Sequence, residues 1–187
     1  MVLRLVGSEM CIRDSIQPGQ LVGSNLTLQQ GLWGGLIVLG KAPISVSGGA
    51  TAQIEGIPAS DTNGLYGGSD ASDNSGTYNY ISVRHGGTSI GEGNEINGVT
   101  FGGVGTGTTV SNIEVVANVD DGIEFFGGTV NASNLLVWAQ GDDGLDIDQS
   151  YSGTVSNSMV ILGANSDHAL EIDGPEGTME DTYTLNN

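Results

Sequence analysis

An all-β solenoid of parallel strands is the fold this sequence predicts, and three observations predict it. A five-residue turn-and-strand unit recurs: Asp120-Asp121-Gly122-Ile123-Glu124 returns 22 residues later as Asp142-Asp143-Gly144-Leu145-Asp146 and, after 25 more, as Asp167-His168-Ala169-Leu170-Glu171. Between these units apolar residues alternate with period two, as a strand with one buried face requires. Gly fills 32 of 187 positions, far above the roughly 7% of an average chain, and with abundant Val, Ile, Thr, Ser and Asn it favours short strands and tight turns over helices. A period in the low twenties marks coils that cannot bury their apolar faces singly and must stack.

Residues 1–15 stand apart. They hold Arg4, Arg13 and Cys11, the chain's only cysteine. The string Gly7-Ser8-Glu9-Met10-Cys11-Ile12-Arg13-Asp14-Ser15 resembles a translated sequencing adaptor, so the segment is expected to lie outside the fold. The remainder, 16–187, reads as a single β-helix domain cut within the solenoid at both ends. Without residues 1–15, Lys41 and Arg84 face 20 acidic residues (22 less Glu9 and Asp14) and the net charge stays at −18. Such a chain repels nucleic acid and anionic membranes, leaving cations or neutral partners. No run of about 18 apolar residues marks a transmembrane segment. With no cysteine beyond Cys11, no disulfide framework or thiolate metal site is expected.

Three short strands make each coil of about 22 to 25 residues. In the first, Ile113, Val115 and Ala117 should lie over Leu135, Val137 and Ala139, and these over Ser158, Val160 and Leu162; Ile81 and Val83 extend the columns upstream, with an insertion from Gly86 to Glu95. The second strand follows the aspartate turn, with Ile123, Leu145 and Leu170 in one inward column, Phe125, Ile147 and Ile172 in the next, and Val99 and Phe101 upstream. Thr109-Val110, Thr129-Val130 and Thr154-Val155 mark the third. Asn112, Asn134 and Asn157 then turn the chain; asparagine tolerates the left-handed backbone of a tight turn and can hydrogen-bond along the stack, so these read as a structural ladder. Parallel crossovers are right-handed by default. The expected fold is a right-handed parallel β-helix.

A loop excursion is expected over 56–77, where Asp61, Asp70 and Asp73 lie near Asn63 and Asn74. That composition is ordinary for a surface loop, and its spacing does not match an EF-hand. Asn25-Leu26-Thr27 and Asn131-Ala132-Ser133 match the glycosylation pattern, which is frequent by chance.

The runs Asn94-Glu95-Ile96-Asn97-Gly98-Val99-Thr100-Phe101-Gly102-Gly103 and Asp120-Asp121-Gly122-Ile123-Glu124-Phe125-Phe126-Gly127-Gly128, with Trp33-Gly34-Gly35-Leu36-Ile37-Val38-Leu39-Gly40 and Gln53-Ile54-Glu55-Gly56 upstream, resemble a group of bacterial secreted or lipid-anchored surface proteins with a pectate-lyase-like right-handed β-helix. The resemblance covers most of Gly31 to Gly174. It implies export, a surface location and a noncatalytic structural, adhesive or glycan-binding role more than it implies a reaction.

Glu124, Asp146 and Glu171 should point outward from the second strand, with Asp148 and Asp173 in the adjacent column and Asp120, Asp121, Asp142, Asp143 and Asp167 at the preceding turn. Carboxylates about 5 Å apart repel by about 0.8 kcal/mol in water and about 3 kcal/mol at an effective dielectric of 20. Hard oxygen ligands in adjacent coils suit Ca²⁺, so Asp120, Asp121, Glu124, Asp142, Asp143, Asp146, Asp148, Glu171 and Asp173 are candidate calcium ligands. A solvated acidic face is the plainer alternative.

Asn118-Val119-Asp120-Asp121-Gly122, Gly141-Asp142-Asp143 and His168 also resemble the aspartate and histidine order of polygalacturonase-type inverting glycosidases. That resemblance implies Asp143 as general acid, Asp120 and Asp142 as the base pair and His168 as an orienting residue, with an acid–base separation of about 6.5 to 9.5 Å. The histidine here is flanked by Asp167 and Ala169 where that family has glycines. A lyase needs an Arg or Lys base, and near the coils only Arg84 offers itself. Arg84 and His85 read as an ion-pair partner and a coil-edge residue, and Trp138, in an outward column with Val116 and Ile161, as a covered position or a sugar-stacking platform.

Overall fold

The computed structural model describes residues 28–91 and 94–178 and the backbone of Val2–Val6. The strands of one sheet stack in the order Val2–Val6, Gly35–Leu39, Val99–Gly102, Ile123–Phe126, Leu145–Asp148 and Leu170–Ile172. A second sheet stacks Thr77–Arg84, Thr109–Val116 and Ala132–Trp138, followed by Val155–Ser156 and Met159–Ile161. Every ladder within these stacks is parallel except the one joining Val2–Val6 to Gly35–Leu39. The fold is the expected right-handed parallel β-helix. Although composition sets residues 1–15 apart, Val2–Val6 lies along the otherwise open edge of Gly35–Leu39, and an open edge accepts any extended strand.

Left-handed backbone at three corners gives each coil its three legs. Asn112, Asn134 and Asn157 (φ 54°, 57° and 50°) turn one corner, His85, Ala117 and Ala139 (φ 62°, 55° and 57°) the next, and Gly103, Gly127 and Gln149 (φ 56°, 59° and 49°) the third. The asparagine corner is gentle enough for the strand to continue through it, so two of the three expected strands form single bent strands in Thr109–Val116 and Ala132–Trp138. Along that corner Asn134 Nδ2 donates to Asn112 Oδ1 (3.0 Å), and Asn112 Nδ2 donates to Asn79 Oδ1 (2.8 Å). Asn157 donates likewise to Asn134.

Ile113 faces Leu135 and Ile81, and Val137 lies between Val115 and Val160, as the alternation requires. Ile123 pairs with Val99 above and Leu145 below, and Leu145 with Leu170. One expected column is corrected: Ala132, not Val130, pairs with Val110 and Val155. The Thr-Val dipeptide recurs, but Val130 stands only three residues past the Gly127 corner, whereas Val110 and Val155 stand seven and six residues past Gly103 and Gln149, so Val130 falls short of the strand. Val130 is still fully buried.

Like stacks on like inside. Phe101 lies over Phe125 with ring centres 5.4 Å apart and planes 22° from parallel, and Tyr151 continues the pile at 4.6 Å from Phe125. Tyr151 satisfies its hydroxyl by donating to the Val130 carbonyl (2.7 Å). This pile anchors the main core with Val99, Ile123, Val115 and Val137.

The excursion is longer than expected, running from residue 40 to 76 between the Gly35–Leu39 and Thr77–Arg84 strands. It carries a short hairpin, Ala52–Gln53 with Leu65–Tyr66. Ile44, Val46, Ile54 and Tyr66 pack on Ile37 and Leu39, the outward residues of the first sheet, forming a second core. The expected insertion after Gly86 is another hairpin, Thr88–Gly91 with Asn94–Ile96.

Replacing the fully buried Phe125 by alanine removes the middle of the aromatic pile and should lower unfolding free energy by about 3 to 5 kcal/mol, read from urea denaturation. A loss under about 1 kcal/mol would mean that the rings are not stacked across coils.

A candidate acidic centre beneath the excursion

The aspartate turn is built by a vertical bond pattern. Asp121 Oδ1 accepts from the backbone N–H of Asp143 in the next coil (2.9 Å), and Asp143 Oδ1 accepts from the N–H of His168 in the coil after that (2.7 Å). The second aspartate of each turn is thus a rung. The glycine that follows is required by close approach: a Cβ on Gly122 would lie 2.6 Å from the Gly144 carbonyl oxygen, and one on Gly144 would lie 2.7 Å from that of Ala169. Asn118 braces the turn by donating to the Asp121 carbonyl (2.9 Å), and Gln140, one coil on, does the same for Asp142 (3.2 Å).

Stacking then brings acids together. Carboxylate oxygens of Asp121, Glu124 and Asp146 lie within 4.8 Å of one another, as do those of Asp120, Asp121 and Asp142; Asp143, His168 and Glu171 form a third such group. The expected outward stripe is not open to solvent at its centre. Asp120, Asp121, Glu124, Asp143 and Asp146 are all buried, because the excursion and the hairpin fold over this face and add Glu55 and Glu95 to it. Asn97, fully buried, donates its amide to Glu124. Asp148 is half-buried and accepts from the Gln149 N–H (2.6 Å), while Asp173, Asp167 and His168 are exposed at the far end.

Among the described residues no lysine or arginine closes on this centre, so burial and like charge raise the affinity of its acids for protons. Burial, then the Asp120 charge, pushes Asp121 up to about 9. Glu124 is held well above its usual range by burial and then by Asp146, and Asp146 is raised by burial. Burial first and Glu95 second bring Asp120 to about 7, and burial brings Glu55 to about 7 and Asp148 to about 6. Glu171 rises to about 7, chiefly through its hydrogen bond with Asp143. His168 is raised by Asp167 and by its 3.0 Å contact with Asp143.

A family model described as a pectate-lyase like beta helix domain matches residues 15–187. The chain belongs to the pectate-lyase-like β-helix family. No curated protein and no solved structure matches it. The family match begins at Ser15, the last residue of the segment set apart by composition. Among the described residues of this β-helix domain no helix is long and apolar enough to cross a membrane.

The remaining expected residues fall elsewhere in the β-helix. Asp61, Asp70 and Asp73 serve turns in the excursion, accepting from the Asn63 N–H (3.0 Å), the Ser72 N–H (3.0 Å) and the Ser75 hydroxyl (2.7 Å). Asn74 does likewise for Gly76. Arg84 pairs with Glu114 on the second sheet, and His85 is buried with Nδ1 against the Gln29 carbonyl (2.8 Å). Trp138 is 37% exposed on that sheet's outer face. Exposed Asn131 accepts from the Thr154 N–H (3.0 Å), and Asn25–Thr27 lies outside the described residues. Sequence reasoning missed Glu55, Glu95 and Asn97 as members of the acidic centre. A signal existed: Asn97-Gly98-Val99-Thr100-Phe101 is a further copy of Asp121-Gly122-Ile123-Glu124-Phe125, 24 residues upstream.

Raised acid pKa values mean that the folded state holds protons more tightly than the unfolded one. Their contribution to stability is present below the unfolded values near 4 and is lost as pH climbs through about 7 (Asp120, Glu55) towards about 9 (Asp121). In chelator-containing buffer the melting temperature should therefore fall steadily from pH 5 to pH 9; a flat or rising profile would show that the acids are not packed together.

Proposed function

We propose that this β-helix domain is a noncatalytic module displayed outside the cell, where the outer face of its second sheet binds glycan or another surface partner. The observation that carries this reading is the rung pattern: Asp121 and Asp143 each spend a carboxylate oxygen on a backbone N–H of the next coil. A general acid must instead turn its carboxyl to a substrate oxygen. Asp143 is only 3% exposed. The excursion also covers the acidic face that a glycosidase of this architecture would leave as its cleft.

What remains open is the second sheet. Trp138 (37% exposed) sits beside Met159 (60%) and Ile161 (46%), an apolar patch flanked by the Arg84–Glu114 ion pair. A rigid aromatic surface bordered by polar groups suits the apolar face of a sugar ring. The charge of −18 disfavours nucleic acid and anionic lipid as alternatives.

One contact favours the hydrolase reading: His168 Nδ1 lies 3.0 Å from Asp143 Oδ1, beside the Asp120, Asp121 and Asp142 group. The decisive assay incubates the protein with polygalacturonate, alginate and neutral glycans. No new reducing ends and no 4,5-unsaturation are expected, whereas turnover that disappears in Asp143→Asn would establish a hydrolase. On a glycan array, Trp138→Ala should weaken retained ligands roughly tenfold or more; unchanged binding would move the site off this face. Antibody against the domain should label intact source cells, and labelling only after lysis would contradict the location.

A further inference from the structure

We infer that the ligand of the second sheet's outer face is an extended, neutral polysaccharide chain that runs diagonally across three coils, from Trp138 over the Arg84–Glu114 pair to Tyr80. This rests on the glycan-binding reading of that face and adds the class, length and path of the ligand.

Tyr80 is singled out by its place at the asparagine corner. Asn79 pairs with Ser111 and Ile81 with Ile113, which puts Tyr80 where the following coils have Asn112, Asn134 and Asn157. It takes the same left-handed backbone (φ 55°). Asparagine enters that region readily, whereas a bulky aromatic residue does so only at a cost. Packing does not offset the cost, because Tyr80 is 83% exposed. Nor does the ladder use it: Asn112 Nδ2 donates to Asn79 Oδ1 instead (2.8 Å). A stiff corner that holds a bare aromatic ring in water, against its backbone preference, offers that ring to a ligand.

The register places the second ring and what lies between. Trp138 pairs with Val116 and Val116 with Arg84, while Glu114 stands between Ser82 and Leu136. Tyr80 and Trp138 are thus two coils and four strand positions apart, with Glu114 midway on the diagonal. At about 4.8 Å per coil and about 3.3 Å per residue the two positions lie about 16 Å apart, more than a disaccharide spans. Ser82 Oγ (2.7 Å) and Arg84 Nε (3.0 Å) both donate to Glu114 Oε1. Among the described residues Oε2 has no partner, and the Glu114 side chain is 30% exposed, so Oε2 is placed to accept from a sugar hydroxyl.

Charge selects the class. Arg84 and Glu114 cancel, so the path has no net charge to draw an anion, and the chain's −18 repels acidic polysaccharides at long range. A neutral β-linked chain instead presents apolar ring faces to Trp138 and Tyr80 and hydroxyl edges to Glu114.

The test titrates the full chain by calorimetry with β-linked oligosaccharides of glucose, mannose and xylose, from disaccharide to hexasaccharide, beside oligogalacturonates. Affinity for one neutral series should climb with length until the chain reaches both rings. Trp138→Ala should weaken every length that binds. Tyr80→Asn should remove only the gain at the long end, about tenfold, while melting at or above the wild-type temperature because asparagine suits the corner. Should Tyr80→Asn fail to fold, Tyr80→Gly, which the same backbone accepts, carries the comparison. Long chains held as tightly by Tyr80→Asn as by wild type, with Trp138→Ala still weakened, would overturn this path and leave the glycan reading standing. Tighter binding of an oligogalacturonate than of any neutral chain would overturn the class. No binding by any chain, or binding unmoved by Trp138→Ala, would overturn both the path and the reading beneath it. A dimer that Trp138→Ala and Tyr80→Asn each dissociate would give the face to a second copy and overturn the inference as well.

Discussion

Parallel backbone stacked in register at about 4.8 Å is the constraint from which everything else in this molecule follows. At that spacing a side chain has no neighbour more intimate than its equivalent one coil away. Apolar equivalents gain, as in the Phe101–Phe125–Tyr151 pile and the Val99–Ile123–Leu145 column. Asparagine equivalents gain too, because an amide carries both donor and acceptor and can bond upward and downward at once. Carboxylates lose, since they only accept, and their charges add.

One device answers that loss. The second aspartate of each turn points one oxygen at a backbone N–H of the next coil, which converts a repulsive column into a bonded one. Glu124 accepts instead from the Asn97 amide, and burial beneath the excursion deepens the difficulty of Glu124 and Asp146. The preceding coil carries Thr100 at the position of Glu124. The acids load the first sheet with like charge and so set the two sheets apart. The first is closed and electrostatically loaded; the second offers an open, rigid face.

The repeating part of the architecture was legible because it is local arithmetic. Period-two alternation placed Ile113, Val115, Leu135 and Val137 inside, and the recurring aspartate turn set the register of Ile123 on Leu145. Val130 leaves the column that its Thr-Val dipeptide suggests because the distance from the left-handed corner to the strand differs between coils, and Val130 follows the Gly127 corner too closely. The cover over the acidic face was not legible, since much of it comes from the excursion of residues 40–76, far upstream of Glu124 and held by Ile44, Ile54 and Tyr66 against Ile37 and Leu39. Apolar residues in a glycine- and serine-rich stretch declare that they will pack, but not on what.

Nuclear Overhauser contacts between methyl groups test the stacking most directly. In a sample with labelled isoleucine, leucine and valine methyls, Ile123 should show strong contacts to both Val99 and Leu145, and Val137 to both Val115 and Val160. Absence of the Ile123–Leu145 contact, or its replacement by contacts to residues one position out of register, would contradict the account, because a shift of one residue turns every inward side chain outward.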